Sequence, residues 1–277
     1  MTNLQNHRGI LINGQADANL SVTDRGLAYG DGVYRTFMVQ HGEPLLWPSQ
    51  YHKLQQDAAK LELSVCSSER LLAEIQTVAE HAARCVVKVI ITRGSGSRGY
   101  AIPAQASHNR IVIKSEYPSY PDDLLVHGAR LFLCKLRLSQ QVKLAGIKHL
   151  NRLENVLARS ESDDPSFQDG LLLDQQGNVV ECTSGNIFAR FNDQLITPKL
   201  NECGVAGVVR DWVMQQSPHW SLHAQEATLS LSQLAQADEV LMTNSVAGAI
   251  NIVQLQDKTW QANNLAKQIR KVLGIAS

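Results

Sequence analysis

The segment YPSYPDD (117–123) interrupts this chain between two stretches of different pattern, and that interruption limits the possible folds more than any other feature. Its two prolines lack backbone donors and hold the preceding residues extended, so neither a helix nor a strand ladder runs through it. On its amino-terminal side, the β-rich runs CVVKVIITR (85–93) and RIVIKSEY (110–117) flank a glycine loop. On its carboxy-terminal side a long strand series takes over. The expected organisation is therefore α/β in two parts: a smaller amino-terminal domain over 1–117, a linker at 118–124 and a larger domain over 125–277.

In the first part, residues 10–13 read as a short strand. Residues 33–40 and 44–47 read as a hairpin around His41-Gly42-Glu43. Ser49 is the expected cap of a helix with Tyr51, Leu54, Ala58 and Leu61 on one face. Ser68 is the expected cap of another, carrying Leu71, Leu72, Ile75, Val78, Ala79 and Ala82. In the second part, ARLFLCKLRL (129–138) alternates like a strand, and residues 151–160 form a helix with Leu153, Val156 and Leu157 expected inward. Strands follow in LLLDQQGNVVE, NIFARF and QLITP, then a helix in VVRDWVMQQ and a strand over 239–245. A closing amphipathic helix is expected to bury Leu265, Ile269 and Val272.

Charge excludes some partners. With 26 basic and 26 acidic residues and no run of five like charges, neither nucleic acid nor an acidic membrane is an expected partner. Five scattered cysteines without a CxxC pair read as reduced core residues. The start MTNLQNHRG lacks the apolar centre of a signal peptide, and no stretch approaches the roughly 18 apolar residues of a membrane span, so the cytoplasm is the expected location.

Hydrolytic and metal chemistry find no support, since GxSxG, HExxH and P-loop motifs are lacking and the nine histidines show no ligand spacing. Gly94, Gly96 and Gly99 do spell GxGxxG after a strand, but Pro103 disfavours the helix that a dinucleotide fingerprint must open. That loop, with Arg98 in it, reads equally as an ordinary exposed loop or a substrate-binding one.

The chemistry-bearing pair is Lys148 in LAGIKHLNRLENVLAR and Glu181 in VVECTSGNIF. A lysine at such a place is usually a surface residue. Here Leu144, Ala145, Gly146, Ile147 and Leu150 surround it, and a desolvated lysine loses proton affinity and becomes a usable nucleophile and base. Glu181 reads either as an edge-strand acid facing water or as an inward carboxylate that needs a cation. Together they suit pyridoxal 5′-phosphate (PLP) chemistry, the lysine joining the aldehyde and the carboxylate holding the pyridinium proton.

These two motifs, with DRGLAYGDGVYRT (24–36) and RGSGSRGY (93–100), resemble the fold type IV PLP family, the branched-chain and D-amino-acid aminotransferase-like enzymes, over about Ile10 to Val253. The IKHLNRLE wording resembles the lyase branch. The resemblance implies two α/β domains with PLP at their interface, a homodimer, and conversion of 4-amino-4-deoxychorismate to 4-aminobenzoate and pyruvate in folate synthesis. An aminotransferase on the same scaffold is the alternative, and a non-catalytic binding protein with a structural Lys148 is the more distant one.

By the resemblance, Lys148 is the Schiff-base lysine and Glu181 the pyridine-nitrogen partner. The amides of Val208 and Val209, in a GVAGVVRD segment that otherwise reads as a plain turn into a helix, and the hydroxyl of Ser245 match the phosphate cradle. Where the family carries arginine in H-x-x-R-L, this chain has Lys53, a point charge without the bidentate fork. Lys53 is expected to remain the main cationic phosphate contact. Lys148 is also expected to abstract the ring proton and to protonate the departing enol carbon, with Thr36 offering a hydroxyl on the same face. Arg98, Tyr100 and Arg152 are the expected contacts of the substrate carboxylates.

Overall fold

A computed structural model describes residues 9–96, 98–120 and 122–275, with backbone only at 122 and 123. The first eight residues of the start MTNLQNHRG, Ser97 of the glycine loop and Pro121 of the interruption lie outside the described residues. The chain divides into two units, Met1–Pro118 with Lys148–Asn151, and Ser119–Ile147 with Arg152–Ser277.

The first unit contains β1 (Ile10–Ile12), α1 (Arg25–Tyr29), β2 (Gly32–Gln40), β3 (Glu43–Pro44), α2 (Trp47–Lys60), α3 (Ser68–Ala79), β4 (Arg84–Thr92) and β5 (Asn109–Glu116). Its strands form an antiparallel sheet in the order β1-β5-β4-β2-β3. Strand β2 buries Val33, Arg35 and Phe37 and turns the half-buried Tyr34 and Thr36 to the other face, as a period of two requires. Helix α2 packs on β2 and buries Gln50, Leu54, Asp57 and Ala58, a stripe of helical period. Two of those four are polar, which makes this helix face a place of hydrogen bonds as well as packing.

Both expected helix starts shift. Helix α2 begins at Trp47, before Ser49: Leu46 is its N-cap with φ 53°, and Pro48 lies in the first turn, where a missing N–H costs nothing. The expected strand at 44–47 accordingly shrinks to Glu43–Pro44. Ser67 rather than Ser68 caps α3, accepting the Arg70 N–H at 3.4 Å.

The second unit contains α4 (Asp122–His127), which occupies part of the expected linker, then β6 (Ala129–Leu138), α5 (Leu153–Arg159), β7 (Asp169–Asp174), β8 (Val179–Cys182), β9 (Asn186–Phe191) and β10 (Gln194–Pro198). There follow α6 (Val208–Gln216), β11 (His223–Ala227), α7 (Leu231–Leu234), β12 (Glu239–Asn244), β13 (Gly248–Leu255), β14 (Lys258–Thr259) and α8 (Leu265–Val272). Strands β9, β12, β13, β6, β7 and β8 are paired in that order, and β8 pairs back to β9, so the sheet closes on itself. Closure leaves the ring itself without a free edge, with β10 and β11 extending from β9, and the core includes Leu131, Leu171, Ile187, Ala189 and Ile252.

Two burial expectations fail here. Leu153, Val156 and Leu157 of α5 are 74%, 58% and 57% exposed, because this short helix packs through Ala158 against Cys134, Leu138, Leu172 and Val180. Val272 is also exposed, since α8 buries Leu265, Ala266, Ile269 and Arg270 and Val272 falls off that stripe. Strands β11 and β13 had no expectation: HAQEA is polar, and Asn251 breaks the apolar alternation of GAINIVQL.

Candidate active site

Lys148 is presented from the edge of a sheet. Residues 148–150 lie antiparallel along β2: Tyr34 donates its N–H to the Lys148 carbonyl at 2.9 Å, Val33 bridges His149, and Leu150 donates to the Gly32 carbonyl at 3.0 Å. The Lys148 N–H donates to Asp57 Oδ2 at 3.1 Å, so both polar groups of its backbone are held. Its half-buried side chain places Nζ 4.7 Å from the centre of the Tyr34 ring. Lys88 Nζ stands 4.8 Å from the same ring, an arrangement that ring quadrupoles favour.

Thr36 follows Tyr34 on that face of β2 and pairs in register with Lys88 of β4. The sequence reading passed over Lys88. The available signal was a lone cation inside the apolar run CVVKVIITR, a position where a charge needs a reason. Lys53, Arg35 and Asp57 meet just behind Lys148. Lys53 Nζ lies 2.5 Å from Asp57 Oδ1 with its side chain 12% exposed, and Arg35 donates to Asp57 Oδ2.

Arg98 and Tyr100 sit on an exposed loop. No helix follows the glycines, as Pro103 required, and Gly94 and Gly99 adopt φ of 81° and 105°, which an L side chain rarely allows. The loop is tied down through its backbone. Arg25 donates to the carbonyls of Gly99 at 2.9 Å and Tyr100 at 3.2 Å, and the Tyr29 and Tyr100 rings meet edge-on at 5.4 Å. Arg25 also pairs with Asp31 at 2.9 Å, and Arg93 pairs with the same oxygen at 2.7 Å. Burial pushes the Asp31 carboxyl up, but the hydrogen bonds and charges of Arg93 and Arg25 outweigh it and hold it below the usual carboxylate range.

In the second unit Glu181, near the end of β8, is buried and not a water-facing edge acid. Its Oε2 accepts the Val205 N–H at 2.8 Å. The loop before α6 is folded around this contact. Asn186, opposite Glu181 in register, donates to the Val205 carbonyl at 2.7 Å and accepts the Gly207 N–H at 3.0 Å. A Cβ at Gly207 would collide with that Asn186 oxygen, and Gly204 has φ 80°, so both glycines are demanded by the loop. Gly207 is the N-cap of α6 with no side-chain cap, and the amides of Val208 and Val209 belong to the helix's first turn, which has no internal acceptors.

Ser245 lies half-buried in the β12–β13 turn, where Asn244 Oδ1 accepts from Val246 at 3.0 Å and Ala247 at 2.8 Å. Arg152, at the start of α5, contacts Asn155 at 3.5 Å, and Asn155 donates to the Thr183 carbonyl at 3.1 Å. Behind Glu181, burial above all, then the charges of Asp169 and Glu181, push the Cys182 thiol far up, so it stays neutral. Lys148, Lys53 and Thr36 thus share the first unit, with Arg98 and Tyr100 on its loop, while Glu181, Val208, Val209, Ser245 and Arg152 belong to the second.

The donor set fits PLP. A primary amine suits its aldehyde, a buried carboxylate suits its pyridine nitrogen, and an uncapped helix N-terminus suits its phosphate.

The amino-transferase class IV family model matches residues 32–255. The chain is 31% identical to an aminodeoxychorismate lyase of Vibrio harveyi over 238 residues, covering 86% of this chain and 88% of that one. It is 26% identical to a branched-chain-amino-acid aminotransferase of Methanocaldococcus jannaschii described as putative, covering 95% of this chain and 93% of that one. Among solved structures, the 4-amino-4-deoxychorismate lyase of Pseudomonas aeruginosa superposes with a TM-score of 0.90 at 38% identity, covering 95% of this chain and 97% of that one.

Proposed function

Since the chain belongs to the class IV amino-transferase family, whose cofactor is PLP, we propose that it is a lyase converting 4-amino-4-deoxychorismate to 4-aminobenzoate and pyruvate. The observation that carries this reading is the presentation of Lys148 from the β2 edge, its backbone held at both ends and its amine set against Tyr34. The 31% and 38% identity to the lyases of Vibrio harveyi and Pseudomonas aeruginosa, above the 26% to the Methanocaldococcus jannaschii aminotransferase, supports elimination over amino transfer.

When bound, PLP supplies the electron sink that makes the carbon bearing the substrate nitrogen acidic. Glu181 keeps the proton on the pyridine nitrogen. The Lys148 amine would take the proton from the ring carbon and, as the ammonium, deliver it to the departing enolpyruvyl carbon. Aromatisation of the ring drives the release. Lys53, the Val208 and Val209 amides and the Ser245 hydroxyl hold the phosphate. Thr36 orients the reacting face, and Arg98, Tyr100 and Arg152 receive the substrate carboxylates, with Lys88 as a further cation beside Thr36.

The enzyme works as a homodimer, a reading supported by the exposed Leu153, Val156 and Leu157 of α5. It works in the cytoplasm, a compartment that keeps thiols reduced. Among the described residues no helix is long and apolar enough to cross a membrane.

The test is direct. Borohydride treatment of the PLP-loaded wild type, supplying hydride with a proton from water, would fix the cofactor to the lysine that holds it. A peptide carrying the reduced tag at Lys148, and release of 4-aminobenzoate and pyruvate that is lost in Lys148→Ala, is the expected result. Rapid accumulation of pyridoxamine phosphate with several amino acids and no 4-aminobenzoate would instead make it an aminotransferase.

A further inference from the structure

One carboxylate joins the residue proposed to carry the cofactor to the residue proposed to grip its phosphate. Asp57 lies on α2 one turn after Lys53, and its side chain is 1% exposed. Its Oδ1 takes the Lys53 ammonium at 2.5 Å, while Oδ2 takes both an Arg35 nitrogen and the Lys148 backbone N–H at 3.1 Å. The three donors come from α2, from β2 and from the segment that lies along β2. The carboxylate therefore holds a backbone donor of that edge segment at the residue proposed to react.

We infer that Asp57 is a positioning residue, setting the Lys148 backbone and the Lys53 ammonium in one frame; the inference rests on the reading of Lys148 as the cofactor lysine. A carboxylate is the group that can do this. It offers four lone-pair sites and a charge, enough for two cations and an amide together, where serine or alanine would remove the charge those two cations share. The short aspartate stem on a packed helix adds little freedom, so the position of the Lys148 amide follows from the position of α2.

A purely structural ion pair predicts lower stability and nothing else, and the first unit contains one for comparison. Glu74 of α3 pairs with Arg110 of β5 at 2.5 Å, with no contact to Lys148 or Lys53. The experiment prepares the full chain free of cofactor as wild type, Asp57→Asn and Glu74→Gln, adds PLP well below each melting temperature, and quenches with borohydride at intervals. Peptide mapping then gives the rate of tag formation at Lys148, and a titration gives the PLP dissociation constant.

Asp57→Asn is expected to slow tagging about tenfold or more, as small misplacements of reacting groups do, and to weaken PLP binding. Glu74→Gln is expected to lower the melting temperature and leave the tagging rate unchanged. Wild-type rate and affinity in Asp57→Asn, with wild type tagged at Lys148, would overturn the role of Asp57 alone. An untagged Lys148 in wild type would overturn the cofactor reading, and this inference with it. Where Asp57→Asn does not fold, hydrogen exchange in the wild type decides: the Lys148 amide is expected to be protected, and exchange at the rate of an open loop amide would refute the contact.

Discussion

Asp31 and Asp57 of the first unit each stand between two cations, and they differ in depth and in their remaining partners. Asp31 lies between Arg25 and Arg93, with a side chain 15% exposed. Those arginines turn their other N–H groups to the carbonyls of Gly99, Tyr100, Leu61 and Glu62, so the network ties loops together. Asp57 lies between Arg35 and Lys53 at 1% exposure, and its third donor is the amide of Lys148. The same charge count thus ties loops together in one place and holds the backbone amide of Lys148 in the other. Depth decides how much each is worth, and connectivity decides what each does.

The largest expected difference is in stability. Asp57→Ala leaves two buried cations without their shared carboxylate and is expected to cost about 3–5 kcal/mol, whereas Asp31→Ala, nearer water, is expected to cost less. Urea unfolding of both variants measures this, and equal losses would break the comparison on depth. Next, Lys53→Ala is expected to raise the PLP dissociation constant about tenfold, the worth of one charge-assisted contact. An unchanged constant would remove Lys53 from the phosphate site.

Asp31→Asn is expected to act on the loop that carries Arg98 and Tyr100. The Michaelis constant for a dicarboxylate substrate should rise about threefold to tenfold, with kcat nearly constant, because uniform binding is lost. A fall in kcat alone would place Asp31 in the chemistry. The smallest effect is the pH dependence. The folded pKa of Asp31 lies below its ordinary value, so its contribution is complete above the unfolded value of about 4 and disappears as pH falls through the folded one. The stability gap between wild type and Asp31→Asn should therefore narrow on acidification below that value, and a gap constant down to strongly acid pH would refute the assignment.

The parts of the site that lie in one stretch of chain were legible. LAGIKHLNRLE made Lys148 a candidate because an amine among apolar neighbours is unusual, and VVECTSGNIF left Glu181 open between an edge acid and an inward carboxylate, of which burial selects the second. The absence of a helix after the glycine loop was legible too, since Pro103 acts on its own predecessor. What stayed hidden was long-range. Asp57 looks like a solvated helix acid in QQDAAK, Arg35 like a strand-edge cation, and Lys88 like an interruption, and each gained meaning only when β2, β4 and α2 came together.

Helix α5 failed for the same reason. Its stripe of Leu153, Val156 and Leu157 is a true amphipathic signal, but a pattern states that a face is apolar and not what covers it.

Local rules thus determined much of the strand and helix pattern, the turn glycines and the candidacy of Lys148, because each depends on neighbours a few residues away in the chain. The closed strand ring, the edge segment along β2 and the three-way contact at Asp57 were decided by tertiary structure alone. They join residues far apart in sequence, Asp57 with Lys148 and β8 with β9 among them, and such pairings are set by packing and by the need to satisfy buried polar groups, which no local window contains.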